Sequence, residues 1–323
     1  RGGGGGRGGG GGGPGGVGAG GGRGTRAPPP LRLVVSGTAA FAVPSLDALI
    51  SERHEVALVI TQPDRPGHRN KIVPTAVKQA AQKHGLHVYQ PDRIGSPESI
   101  AQIRWANPEL MVVVAYGQIL PPEVLEIPPR GVVNVHASLL PRHRGAAPIN
   151  HAILAGDHET GVTIMLMDAQ LDHGPILARR SLPIGPHSST PALTAELATL
   201  GAELLVEVLA DLDRFPPTEQ DHAAATLAPR LKKEDGDLDW SVPAAEIDRR
   251  VRALDPWPGT TATLADRSLK VLRGRPAEGS GKPGEIIRVD GDGLLVGPAR
   301  GAYLVEEVQL PSRRPMPAGQ LPP

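Results

Sequence analysis

No cysteine occurs in the 323 residues, which excludes disulfides and thiolate metal sites and is compatible with a reducing cytosol. No apolar run approaches the roughly 18 residues a membrane span needs, so a soluble protein is expected; a cytoplasmic monomer is the further expectation. Acidic residues are missing from the first thirty positions, which hold 18 of the 41 glycines, four arginines and Val17 as their one large aliphatic side chain. Such a segment has nothing to bury, and residues 1–30 are expected to be a disordered Gly/Arg-rich tail. It has no apolar core and so is not a signal peptide; RNA binding through its arginines is the functional alternative. The chain starts at Arg1 without a methionine, and a fragment is expected at that end. The formal charge is zero, yet taking the four tail arginines from 34 basic residues leaves 30 against 34 acidic ones, a net of −4 over residues 31–323. Any nucleic-acid contact would then be a local patch and not a global field.

Several chemical signatures are also missing. The first strand leads into SGTAAFAVPS with Gly37 as its single glycine, where a dinucleotide fold would carry G-x-G-x-x-G. None of the 11 histidines forms H-E-x-x-H or a comparable spacing, so no metal is expected. Ser138 lacks the G-x-S-x-G setting of a strained nucleophile, which leaves a hydrolase triad the poorer reading. There is no internal repeat.

What is present alternates. LRLVVS (31–36), EVALVIT (55–61), HVYQ (87–90) and LMVVVA (110–115) read as strands; FAVPSLDALIS (41–51), PTAVKQAAQKH (74–84) and PESIAQIRWAN (97–107) read as helices between them. That order predicts a Rossmann-like parallel sheet covered on both faces, with the site beyond the carboxyl ends of its strands. GVTIMLMD (161–168) is one more strand. Thr190 is the expected N-cap of a long helix, with Pro191 at its first position and Leu193, Leu197, Leu200, Leu204 and Val208 on one face. FPPTEQDHAAATLAPR (215–230) is Pro- and Ala-rich and reads as a linker. Beyond it, one helix near 243–254 and the short strands TATLAD, SLKVLRG, GEIIRVDGDGLLVG and AYLVEEVQL predict a small antiparallel, OB-like β-barrel. Asp290-Gly291-Asp292-Gly293 is a hairpin turn, too short for a calcium loop. The expected domains are the tail 1–30, a catalytic domain 31–217, a linker 218–233 and a barrel domain 234–323.

The chemistry concentrates in NVHASLLPRHRGAAPIN (134–150). Asn134 and His136 flank Val135 on a short strand, so both side chains leave on one face while Val133 and Val135 point into the core. A lone histidine there is more often structural. A tight loop bounded by Pro141 and Pro148 follows, and the next strand ends in Met167-Asp168-Ala169-Gln170-Leu171-Asp172-His173-Gly174-Pro175. An aspartate at that neighbouring strand end would orient the imidazole, and Asn134 would donate to a developing oxyanion. The set suits acyl transfer to an amine.

These residues also carry a likeness. N-V-H with SLLPRHRGAAPIN (138–150) and AGDHETGVTIMLMDAQLDHGPIL (155–177) resembles the folate-dependent formyltransferases. The resemblance covers nearly everything from residue 31 onward, including FAVPSLDAL, TQPDRP, VVVAYGQILP, LKKEDGDLDW and ALDPWPGT, and the TQPDRP loop and the trailing domain narrow it to the branch that formylates methionyl-initiator tRNA. It implies Asn134, His136 and Asp172 as the catalytic set and Ser138, Leu139, Leu140 and Pro141 as a folate lining. It also implies Gln118, Ile119 and Leu120, with the loop from Asp168, as a pterin site. The implied formyl donor is 10-formyltetrahydrofolate, with no metal. An α-amino group has a pKa near ~7.7–8.0 and histidine near ~6.5, so proton transfer between them is roughly balanced at neutral pH. The basic loop of Arg65, Arg69 and Lys71, set against Asp64, is the expected tRNA contact. It departs from the family's Gly-Arg-Gly-Lys-Lys, reading His68-Arg69-Asn70-Lys71, one glycine short. The chain also stops after PAGQLPP, where the family adds a short final segment. Glycinamide ribonucleotide and sugar-nucleotide formyltransferases, formyltetrahydrofolate hydrolases and a non-enzymatic RNA-binding protein are the alternatives.

Overall fold

A computed structural model describes residues 2–4, 30–66, 72–264 and 267–321. The expectation of a disordered tail thus lies almost wholly outside the described residues. In chain order the elements of the first half are β1 (Arg32–Gly37), α1 (Val43–Ser51), β2 (Glu55–Ile60), β3 (Arg65–Pro66), β4 (Ile72–Val73), α2 (Ala76–Lys83), β5 (Val88–Tyr89), α3 (Pro97–Ala106), β6 (Leu110–Val114), α4 (Pro122–Leu125), β7 (Val132–His136), β8 (Arg144–Gly145), α5 (Pro148–Ala155), β9 (Glu159–Leu166), β10 (Ile176–Pro183) and α6 (Thr190–Ala210). The second half holds β11 (Leu227–Ala228), α7 (Ala244–Leu254), β12 (Thr260–Leu264), β13 (Arg267–Ala277), β14 (Ile286–Asp290), β15 (Gly293–Val296), β16 (Ala302–Gln309) and β17 (Met316–Pro317).

The main sheet has seven strands in the order β10-β9-β7-β6-β1-β2-β5. The five from β7 to β5 are parallel. Their near-continuous Val/Leu/Ile runs follow from burial on both faces. On one face Leu33, Val35, Val112, Val114, Val133 and Val135 join α1, α2 and α6 in the larger core; on the other Val34, Leu58, Met111, Val113 and Val132 join α3 and α4. The order reverses beside β1, which places the crevice at the carboxyl ends of β1 and β6. Gly37 sits there for packing: a Cβ on it would lie 2.7 Å from Ala42 and 3.0 Å from the Val114 carbonyl. Its bareness serves the approach of α1's entry turn, not of a pyrophosphate.

The edge departs from an all-parallel sheet. β9 runs antiparallel to β7, and β10 antiparallel to β9. A parallel strand needs a connection that returns the chain to the sheet's other end. Residues 137–147 and the two-turn α5 instead leave the chain at the end where β7 finished, with His136 opposite Thr163. Two helix starts also shift: α2 begins two residues after the expected Pro74, and the cap of α6 lies one residue before the expected Thr190. Thr75 caps α2, accepting from the Lys78 amide at 3.2 Å. Ser189 is the N-cap of α6, and the Thr190 hydroxyl is free to donate to the Ala253 carbonyl at 2.7 Å.

The C-terminal sheet is antiparallel, in the order β12-β13-β16-β15-β14, with β17 on β16. Asp290 pairs with Gly293 across the two-residue turn Gly291-Asp292. Trp240, Ile247, Val251, Val296, Tyr303 and Val305 fill its core. The last turn of α7 instead belongs to the first domain: Ala253 and Leu254 enter the larger core, and Asn150 donates to the Ala253 carbonyl at 2.7 Å. Among the described residues no helix is long and apolar enough to cross a membrane.

Candidate active site

β7 is buried along its whole length. Val133 and Val135 pack toward α6, which comes close because Gly201 lacks a side chain; a Cβ there would stand 2.9 Å from Val135. Asn134 and His136 therefore project together from the opposite face.

The imidazole of His136 is held at both nitrogens. Nε2 lies 3.0 Å from the His143 carbonyl. A carbonyl can only accept, so the Nε2 proton is fixed and Nδ1 is the nitrogen that gains or loses one. Nδ1 faces Asp172 Oδ1 at 3.6 Å. His143 reaches this position in left-handed backbone, φ 58°, with its ring tied to Asp157 at 2.7 Å. Burial pushes the Asp157 carboxyl up, but hydrogen bonds from Arg142 and His143 outweigh that and hold it below the usual carboxylate range. Gly145, at φ 125°, passes so near β11 that a Cβ would meet the Ala228 carbonyl at 2.5 Å.

Asp172 does not arrive from a neighbouring carboxyl edge, because β9 runs the other way. The loop after β9 folds back over the sheet face, and a Cβ on Gly174 would collide there with the Leu166 carbonyl. Asp172 itself is left-handed, φ 49°. Its Oδ2 accepts from the Gly145 amide at 2.8 Å, while Asn134 Nδ2 reaches its Oδ1 at 3.5 Å. Asn134 and His136 thus converge on one carboxylate oxygen. A neutral donor, an imidazole of fixed tautomer and a buried carboxylate around one point can move a proton next to a forming oxyanion.

Four residues around this centre escaped the sequence reading. Gln220 donates to the carbonyls of Asp172 (3.0 Å) and Gly174 (2.7 Å). Arg144 holds the Gln220 oxygen from Nη2 at 2.6 Å. His222 stacks on His173 with centroids 3.9 Å apart, and the Thr226 hydroxyl accepts from the His143 amide at 2.8 Å. Nothing local marks Gln220, His222 and Thr226, which lie in the Ala-rich 215–230 stretch dozens of residues from the site, and Arg144, inside the 134–150 motif, is singled out only by its pairing with that stretch.

The remaining expected site residues are placed less uniformly. Ser138 is fully buried; its hydroxyl donates to the Arg142 carbonyl at 2.7 Å and its carbonyl accepts from Thr163 at 2.6 Å. Leu140 is buried with Met165 and Ile176, Leu139 is half-buried, and Pro141 lines a cavity of about 490 Å³ with Arg179 and Gln220. Gln118 is committed to the 91–94 loop, accepting from the Ile94 amide at 2.9 Å. Ile119 is 82% exposed and Leu120 buried. Asp168 accepts from the Gln170 amide and pairs with His173 at 2.7 Å. Arg65, at the start of the β3–β4 hairpin, reaches Gln62 at 2.9 Å. Asp64 is neutralised by Lys78 at 2.5 Å, so it no longer offsets Arg65. Arg69 and Lys71 lie outside the described residues.

Residues 31–209 match the formyl transferase family, and residues 230–321 match the formyl transferase C-terminal domain. A methionyl-tRNA formyltransferase of Citrifermentans bemidjiense is 48% identical over 90% of this chain and 92% of its own length. That of Geobacter sulfurreducens is 45% identical over 90% and 92%. The solved structure of HypX from Aquifex aeolicus in complex with tetrahydrofolic acid superposes with a TM-score of 0.63 at 19% identity, covering 90% of this chain and 46% of that one. At that identity the likeness is one of fold.

Proposed function

Because the chain belongs to the formyl transferase family, in its methionyl-tRNA formyltransferase branch, we propose that it moves the formyl group of 10-formyltetrahydrofolate onto the α-amino group of methionyl-initiator tRNA. It acts in the cytoplasm as a monomer, for translation initiation. The observation that carries the chemistry is the meeting of Asn134 Nδ2 and His136 Nδ1 at Asp172 Oδ1, 3.5 and 3.6 Å away.

The surroundings suit a folate. A pterin presents a planar edge of donors and acceptors, which rigid backbone reads well. Among the described residues the backbone N–H groups of Gln118, Ile119 and Leu120 have no hydrogen-bond partner, and the Gln118 side chain pins that segment in place. The Asp168–Asp172 turn would face the same edge, and the exposed Ile119 side chain would cover the ring.

His136 takes the proton that the amine loses as its nitrogen bonds to the formyl carbon, using Nδ1, since Nε2 stays with the His143 carbonyl. Asp172 balances the imidazolium so formed. Asn134 donates to the formyl oxygen as it gains negative charge. His136 then gives its proton to the folate nitrogen as the carbon–nitrogen bond to it breaks, leaving formylated aminoacyl-tRNA and tetrahydrofolate. Residues 31–217 carry this reaction, 218–233 connect, and the 234–323 sheet domain contributes to tRNA binding together with the 65–71 loop. The test is to supply the formyl donor with charged initiator tRNA, an amino-sugar nucleotide, glycinamide ribotide or water alone. Fast turnover with the tRNA and none with the others is expected; preference for a sugar or water would overturn the assignment.

A further inference from the structure

Between the two matched domains runs a segment that looks like a passive tether and is built as a wall of the site. β11 pairs in parallel with β8, between the His143 turn and the Gly145 amide. The Thr226 carbonyl accepts from the Arg144 amide at 2.8 Å, and its hydroxyl accepts from His143. At the centre is Gln220, 5% exposed, with both ends of its amide in use. Its nitrogen spans the Asp172 and Gly174 carbonyls, and its oxygen takes Arg144 Nε at 3.2 Å and Nη2 at 2.6 Å. Arg144 Nη2 also reaches His222 Nδ1 at 2.9 Å.

Asp172 needs such support. A non-glycine residue at φ 49° is disfavoured by the approach of its Cβ to the neighbouring carbonyl, and such conformations persist where their surroundings over-determine them. The Gly145 amide secures the carboxylate, but the backbone carbonyl of Asp172 is held by Gln220 alone among the described residues. Rotation of that peptide would swing the carboxylate away from Asn134 and His136.

We infer that Gln220 is a positioning residue for formyl transfer: it locks the left-handed Asp172 turn so that the carboxylate stays against Asn134 and His136. This rests on the reading of Asp172 as a member of the catalytic set. The Gln220 nitrogen donates to the turn and its oxygen satisfies Arg144, so the two functions can be separated by substitution. Gln220→Glu keeps the acceptor for Arg144 and sets an acceptor against two carbonyls.

The experiment is a double-substitution cycle in the full chain, comparing Gln220→Glu, Asp172→Asn and the pair by steady-state formylation of methionyl-tRNA. Gln220→Glu is expected to lower kcat by about 10- to 100-fold through misplacement of the carboxylate, with KM for tRNA and folate unchanged. In the double variant it is expected to add nothing to the Asp172→Asn loss, because there is no carboxylate left to position. Should Gln220→Glu fail to fold, Arg144→Met/Gln220→Met replaces the buried pair without orphaning the guanidinium, and the same losses are expected. An inactive Asp172→Asn with wild-type kcat in the Gln220 variants, or fully additive losses, overturns the inference about Gln220. A fully active Asp172→Asn overturns the reading of the site instead.

Discussion

Replacing Asp172 by asparagine removes one negative charge and, with the oxygen kept on the Gly145 amide, turns the atom facing Asn134 and His136 from an acceptor into a donor. Asparagine tolerates the left-handed backbone of this residue better than other non-glycine side chains, and its oxygen can still accept from the Gly145 amide. The fold is therefore expected to survive. What is lost is the attraction between the carboxylate and the imidazolium formed when His136 accepts the amine proton. The two groups are 3.6 Å apart with side chains 7% and 10% exposed, so water screens them little. At an effective dielectric constant of ~20 such a pair attracts by about 4–5 kcal/mol, an upper limit because an asparagine that turns its oxygen to the imidazolium returns part of it. At 1.36 kcal/mol per decade a kcat loss of about 10²–10³-fold is expected. The attraction exists only once the proton has moved, so KM for both substrates should hold. The assay is formylation of methionyl-tRNA at saturating formyl donor, with a urea titration to show that the variant is folded. Wild-type kcat in a folded variant would refute the placement of charge in this site.

Gly201→Leu should destabilise the protein: a Cβ already stands 2.9 Å from Val135 and 3.3 Å from Val162, and overpacking of about 1–3 kcal/mol exceeds the ~1 kcal/mol helix-propensity gain; a raised urea midpoint would contradict the contact. Asp157 has a folded-state carboxyl below its unfolded value, held there by Arg142 and His143 against the opposing effect of burial. Its contribution to stability is therefore present above the unfolded pKa and lost as pH falls through the lowered one. Denaturation at pH 3–5 should show a weaker acid dependence in Asp157→Asn, and an unchanged profile would remove that ion pair from the account. Arg69→Ala is expected to lower kcat/KM for methionyl-tRNA without altering folate binding, through loss of a phosphate contact; unchanged tRNA kinetics would take the 65–71 loop out of tRNA recognition.

β10 and α5 were not read, whereas the parallel strands, the helices between them and the Asn134/His136 pair could be read from the chain because each rests on local periodicity: alternating strands and helices for the sheet, period two for the pair. Two things could not. The direction of β9 depends on where residues 137–147 leave the chain, and an eight-residue helix between two strands looks the same in sequence whether it crosses the sheet or stays at one end. Asp172 could be named as a carboxylate in a Gly-Pro loop, but not the fold-back that brings it to β7, nor its left-handed backbone, for which aspartate carries only a mild preference. Gln220 was hidden by composition. Its neighbours are alanine, proline and charged residues typical of a surface connection, and its hydrogen-bond partners lie 46 to 76 residues away. The helix starts moved, by two residues at α2 and one at α6, because Pro74-Thr75 and Ser189-Thr190-Pro191 each offer more than one plausible start.

The central claim is that the side chains at the end of β7 carry out formyl transfer, and a single-turnover measurement with His136→Ala tests it most directly. With enzyme, 10-formyltetrahydrofolate and methionyl-tRNA all bound, the rate of the chemical step is expected to fall by about 10²–10⁴-fold, while folate affinity stays at the wild-type value. A chemical step as fast as wild type in the folded variant would mean that His136 is a structural histidine and that the proton is carried elsewhere.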